Sequence, residues 1–248
     1  MNKVEVIHSP ALLPLYDLKD KVVVVIDILR ATTTMCVAFN TGVNKILPVA
    51  SPDECFMFKE FDFIIAAERN AVRVPGFDMG NSPFEYENPL IAGKNIAFTT
   101  TNGTKAIKMA KAMNPHSILI GSFLNITALS KKIKESGRDL ILLCSGWKDK
   151  YNLEDTLFAG AVIHKLAATY GMHDDAALSA YFLFEQHQDN LEALVRKSSH
   201  AERFTILHLQ TDDVKYCLQQ DTLSIVPEME GEFLVNLGLK NEVLIMKF

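Results

Sequence analysis

The sequence predicts an α/β protein with a mostly parallel or mixed sheet and a helix-rich C-terminal portion. Three observations carry that reading. Short apolar runs rich in β-branched residues alternate with helical patterns as far as residue 144, the order expected when crossover helices cover a sheet. Five of those runs end in polar clusters. Beyond about residue 153 the alternation gives way to helical spacing.

The elements follow in order. Residues 3–8, with alternating Val4, Val6 and His8, form the first strand. Residues 22–27 are a continuous β-branched run, as in a strand covered on both faces. A helix over 32–40 stops at Gly42. After a strand at 45–49, Ser51-Pro52-Asp53-Glu54 starts a helix with Pro in its first turn. A strand at 63–67 leads into an irregular segment, roughly 69–93, punctuated by Pro75, Gly76, Gly80, Pro83, Pro89 and Gly93. A loop of that length is expected to be functional or mobile. Strands at 95–99, 117–121 and 140–144 then alternate with helices at 104–113 and 125–136. Helices are expected over 153–170, 174–187, 191–197, 199–209 and 213–219, and short strands over 232–237 and 243–248. No repeat or linker interrupts the chain, so 1–248 is read as one domain.

Composition narrows the function classes. With 30 acidic against 25 basic residues and a net charge of −5, the chain lacks the basic excess of a nucleic-acid or acidic-membrane binder. The most apolar stretch, 176–184, is too short to span a bilayer. Cys36, Cys55, Cys144 and Cys217 form no CxxC and fit reduced, buried thiols. With no signal-like pattern at the N-terminus, a cytoplasmic protein is expected. A homo-oligomer is left open. The P-loop, GxGxxG and GxSxG patterns are absent, as are the Cys-x5-Arg and Asp-x-Asp of two common phosphatase classes. The seven histidines show no metal-binding spacing and are read as surface or core residues.

The strand tips carry the chemistry. In an open α/β sheet, ligands bind outside the carboxyl ends of the strands. If the five runs are parallel neighbours, their tips converge on one pocket. Asp27 ends the first long run, and Arg30-Ala31-Thr32-Thr33-Thr34 follows at a helix start, placing a carboxylate, a guanidinium, hydroxyls and free amides together. Glu68 ends the next run. Thr101-Asn102-Gly103-Thr104 reads as a turn with positive φ whose amides form an anion-binding nest. Ser122 with Asn125, and Ser145-Gly146, end two more runs. Gly80-Asn81-Ser82-Pro83 in the long loop offers further donors, and Glu154-Asp155 opens a later helix. Hard carboxylate oxygens suit Mg²⁺, which keeps waters and substrate phosphate in its shell. Each cluster also has a plain structural explanation, as a helix cap, salt bridge or turn.

In this combination and order, Asp27-x-x-Arg30-Ala31-Thr32-Thr33, Glu68, Gly80-Asn81-Ser82-Pro83-x-Glu85, residues 99–104, Gly121-Ser122-x-x-Asn125, Cys144-Ser145-Gly146 and Leu153-Glu154-Asp155 resemble the 2-phosphosulfolactate phosphatases. The resemblance covers roughly residues 20–160. It implies a three-layer α/β/α fold and a Mg²⁺-dependent hydrolase that converts 2-phospho-3-sulfolactate to 3-sulfolactate, a step of coenzyme M biosynthesis. It further implies that some of Asp27, Glu68, Glu154 and Asp155 hold the metal. Arg30, Thr32, Thr33 and the 101–104 turn would then face the phosphoryl oxygens, with Asn81, Ser82, Ser122, Asn125, Ser145 and Gly146 completing the substrate site. Asp27 would orient the attacking water, or alternatively form an aspartyl phosphate. The charged, aromatic stretch Trp147-Lys148-Asp149-Lys150-Tyr151 departs from the family's small residues and is expected to alter the pocket rim. The rival readings are a non-catalytic binder of a phosphorylated metabolite and a metal-dependent lyase. Four acids argue against the first, since carboxylates repel an anion unless a cation intervenes. The lack of an obvious lysine or histidine base weakens the second.

Overall fold

A computed structural model describes residues 1–207 and 212–237. Its strands are β1 (Asn2–Ile7), β2 (Val22–Ile26), β3 (Lys45–Pro48), β4 (Ile64–Arg69), β5 (Val72–Arg73), β6 (Asn95–Thr99), β7 (Ser117–Gly121), β8 (Leu140–Cys144), β9 (Tyr170–Met172), β10 (Glu228–Glu230) and β11 (Phe233–Val235). The helices are α1 (Ala31–Asn40), α2 (Pro52–Met57), α3 (Gly103–Ala112), α4 (Ile126–Ser136), α5 (Leu153–Leu166), α6 (Asp175–His187), α7 (Leu191–Val195), α8 (Ser199–Ile206) and α9 (Asp213–Cys217). The α/β class and the helix-rich C-terminal portion are as expected. All four cysteines are free and buried.

The strands form one mixed sheet in the order β5-β4-β6-β3-β11-β10-β7-β2-β8-β1-β9. The five tips are therefore not five adjacent neighbours. One parallel block holds β4, β6 and β3, and another holds β7, β2, β8, β1 and β9. The antiparallel hairpin β10–β11 joins them. A sheet of 11 strands does not stay flat, because right-handed twist accumulates from strand to strand. The two blocks accordingly share a core: Val23, Val25, Ile118 and Ile120 of one pack in the same cluster as Ile46, Ala66, Ile96 and Phe98 of the other, with α1 and α3. Val22, Val24 and Ile26 point to the opposite face, against α4, α5 and α6. The period-2 alternation of β2 thus supplies two cores from one apolar run.

Three local expectations are revised. The helix expected to reach Tyr170 ends at Leu166, and Tyr170–Met172 pairs with β1 instead. Tyr170 does fit the helical spacing, but its hydroxyl donates to the carbonyls of Ile133 (3.1 Å) and Arg138 (2.8 Å). The strand expected at 232–237 is one arm of a hairpin whose other arm, Glu228-Met229-Glu230, has poor strand propensity and forms through tertiary pairing. The 69–93 segment is packed: β5 pairs with β4, and buried Tyr86 donates to the Gly80 carbonyl at 2.9 Å. The strand expected over 243–248 and the last two residues of the helix expected over 199–209 lie outside the described residues. Among the described residues, no helix is long and apolar enough to cross a membrane.

Candidate functional site

A part-enclosed cleft of about 240 Å³, open solvent included, lies where β2, β4 and the start of α3 approach one another; its lining includes Asp27, Arg30, Glu68, Asn81 and Asn102. These five were expected from the sequence. Trp147, His200 and Phe204 complete it, with Leu29 and Ala71.

Asp27 is 5% exposed and caps α1 itself. Its Oδ1 accepts from the Ala31 amide at 3.3 Å, and its carbonyl accepts from the Thr32 amide at 3.0 Å. The Thr32 hydroxyl accepts from the Asp27 amide (3.0 Å), and the Thr33 hydroxyl donates to the Ile28 carbonyl (3.0 Å). The amides of Ala31 and Thr32 are therefore occupied, and the two threonines shape the turn without lining the cleft. Thr34 donates to the Asn81 carbonyl at 2.9 Å, which ties the long loop to α1. Arg30 is paired with Asp213 of α9, not with Asp27. Its Nη2 donates to the Ala71 carbonyl at 2.9 Å, and its guanidinium sits 5.0 Å from the Phe204 ring centroid. Among the described residues, two of its N–H groups have protein acceptors, and the residue lines the cleft.

Glu68 accepts from the Ala71 amide, and from the Thr101 amide and hydroxyl at 3.2 Å. Thr101 thus positions the acid. Thr104 and Thr100 bond each other's backbone, closing the turn before α3. Gly103 lies outside the positive-φ region, contrary to the nest expected there. Its smallness serves close approach: a Cβ there would lie 2.7 Å from Ala31 Cβ and 2.8 Å from Asp27 Oδ2. Asn102 accepts from the Lys148 amide at 3.1 Å, leaving its NH₂ group without a protein partner among the described residues. Ser82 donates to Asp213 at 2.9 Å, so it supports the partner of Arg30. Asn81 Oδ1 is buried with no partner among the described residues.

The β7 and β8 tips behave differently. Ser122 and Asn125 cap each other, and Asn125 Nδ2 donates to the Ile225 carbonyl at 2.9 Å. Neither side chain lines the cleft. Ser145 Oγ is buried without a partner among the described residues. Gly146, at φ 62°, donates to Asp155 Oδ2 at 3.2 Å, while Ile28 donates to Asp155 Oδ1 at 2.9 Å. Both oxygens of Asp155 are therefore engaged by backbone amides, holding the β2 turn against the β8 turn. Glu154 is fully buried; His200 Nδ1 lies 2.5 Å from its Oε1, and its Oε2 has no partner among the described residues.

Burial pushes the Asp27 carboxyl up to about 6, with Glu68 and Glu154 adding to the push and His200 and the Ala31 amide opposing it. Burial, then Asp27 and Glu154, hold Asp155 well above the carboxylate range, against the amides of Ile28 and Gly146. Buried acids at this density are kept where another cation or a shared proton offsets them. Among the described residues, no three His, Cys, Asp or Glu side chains are gathered as a metal-binding group. Glu154 and Asp155 stand outside the lining of the cleft. Two carboxylates, Asp27 and Glu68, line it with the orphaned Asn81 oxygen. That donor set fits Mg²⁺, which commonly takes one or two carboxylates and fills its octahedron with water and substrate phosphate.

Sequence reasoning missed His200, Phe204 and Asp213. All come from the helical C-terminal portion, where they are separated from their partners by 46 residues (His200 to Glu154) or 183 residues (Asp213 to Arg30). Only the i, i+4 spacing of His200 and Phe204 hinted at a shared face.

The α/β sheet thus brings buried acids, a buried guanidinium and amide side chains to one small cleft. The family description of the 2-phosphosulpholactate phosphatases matches residues 7–232. A protein of Caldanaerobacter subterraneus subsp. tengcongensis named probable 2-phosphosulfolactate phosphatase is 38% identical over 220 residues, covering 87% of this chain and 90% of its own. Proteins with the same name from Symbiobacterium thermophilum (38% over 229 residues; 90% and 97%) and Thermotoga maritima (37% over 213 residues; 86% and 91%) agree. The chain belongs to the 2-phosphosulfolactate phosphatase family.

Proposed function

We propose that the protein is a Mg²⁺-dependent phosphoric monoester hydrolase that converts 2-phospho-3-sulfolactate to 3-sulfolactate and phosphate in the cytoplasm, a step of coenzyme M biosynthesis. The observation that supports this reading best is the convergence of Asp27, Glu68, Arg30 and Asn81 on one cleft. Mg²⁺ held by Asp27 and Glu68, with Asn81 Oδ1, would polarise the phosphoryl group and offset the acids. Arg30, fixed by Asp213 and Ala71, directs its remaining N–H groups at developing charge on the phosphoryl oxygens. The Asn102 amide adds a neutral donor. Asp27, through an oxygen not given to the metal, would orient the attacking water and take its proton. Leu29, Trp147 and Phe204 exclude bulk water from one side of the cleft.

Comparing Asp27→Asn with the parent chain tests this. Loss of phosphate release with retained binding of inorganic phosphate is the expected result for a hydrolase. Binding that strengthens, in a parent chain that releases no phosphate from 2-phosphosulfolactate, would favour a non-catalytic binder.

A further inference from the structure

We infer that His200, held by Glu154, is the general acid that protonates the leaving alcohol oxygen. This inference rests on the phosphatase reading and adds a residue from α8, outside every motif read from the sequence. His200 is buried to 6% exposure yet lines the cleft beside Asp27 and Arg30. The 2.5 Å contact between Nδ1 and Glu154 Oε1 fixes the imidazole orientation. Nε2 has no protein partner among the described residues and is the nitrogen available to the cleft. Trp147 and Phe204 flank the ring, with centroids 5.1 and 5.2 Å away, and limit its rotation. A carboxylate that orients a histidine facing a reacting centre is a recurrent acid–base arrangement.

The step balances as follows. The water oxygen bonds to phosphorus as the bond from phosphorus to the ester oxygen breaks. The electron pair of that bond stays on the ester oxygen, which takes the Nε2 proton. The water proton passes to Asp27, and solvent restores both groups. A secondary alkoxide is a poor leaving group, so protonating it matters; p-nitrophenolate leaves without help.

The test compares 2-phosphosulfolactate with p-nitrophenyl phosphate, using the parent chain, His200→Asn and His200→Gln. The expected result is a loss of about 10²- to 10⁴-fold in kcat on the alkyl ester and less than about tenfold on the aryl ester. Glu154→Gln, a positioning change, should show the same selectivity in weaker form. Equal losses on both esters, in a variant that melts as the parent does, would overturn the assignment. Should neither variant fold, the parent's rates across a series of phosphomonoesters decide. Weak dependence on leaving-group pKa supports the acid, and steep dependence rejects it. A parent chain inactive on every ester would instead remove the phosphatase reading itself.

Discussion

Asp27→Asn should make the protein more stable at neutral pH while abolishing turnover. A carboxyl whose pKa is higher in the fold than in the unfolded chain holds its proton more tightly when folded. The native state therefore has that advantage in full below about pH 4 and loses it as pH rises through about 6. Above that range the fold carries a buried charge. A rise from 3.8 to about 6 corresponds to about 3 kcal/mol, at about 1.4 kcal/mol per pH unit. Asparagine keeps an oxygen for the Ala31 amide and carries no charge, so most of that cost should disappear. Urea unfolding in EDTA, at about pH 4 and about pH 7.5, measures the difference. The variant should gain about 2–3 kcal/mol at the higher pH and little at the lower. Adding Mg²⁺ should stabilise the parent chain by mass action and the variant less. A variant no more stable than the parent at pH 7.5, or equally stabilised at both values, would refute the reasoning.

Other perturbations separate positioning from chemistry. Arg30→Ala leaves Asp213 buried without its cation and should cost about 3–5 kcal/mol in denaturant unfolding, along with activity. Gly103→Ala forces a methyl against Ala31 and Asp27 Oδ2 and should cost about 1–3 kcal/mol, with a fall in kcat greater than that of a matched surface Gly→Ala change. Ser122→Ala removes a cap whose side chain does not line the cleft; stability should fall by about 1 kcal/mol while steady-state kinetics show unchanged kcat and KM.

Much of this site was legible because strand ends announce themselves. Val22 to Ile26 running into Asp27 required only local pattern, and β4 ending near Glu68 required no more. Asn81 and Asn102 came from turn chemistry. What local pattern does not encode is which hydroxyls face inward. Thr32, Thr33, Thr101 and Thr104 look like a phosphate cradle in one dimension, but backbone amides and carbonyls and Glu68 engage them in three. The Asn102-Gly103 pair signals a positive-φ turn, whereas the glycine serves close approach to Asp27, a neighbour far away in sequence. The partners of Arg30 and Glu154 were invisible for the same reason: the helices that bring Asp213 and His200 carry no motif. Strand order failed likewise, because the β10–β11 hairpin that divides the sheet comes from the far end of the chain.

The most direct test of the account is phosphate release from 2-phosphosulfolactate by the purified protein, with Mg²⁺ and with EDTA. Release that depends on Mg²⁺ and outpaces that from a simple phosphomonoester is the expected result. Folded protein that releases no phosphate from either compound would contradict it.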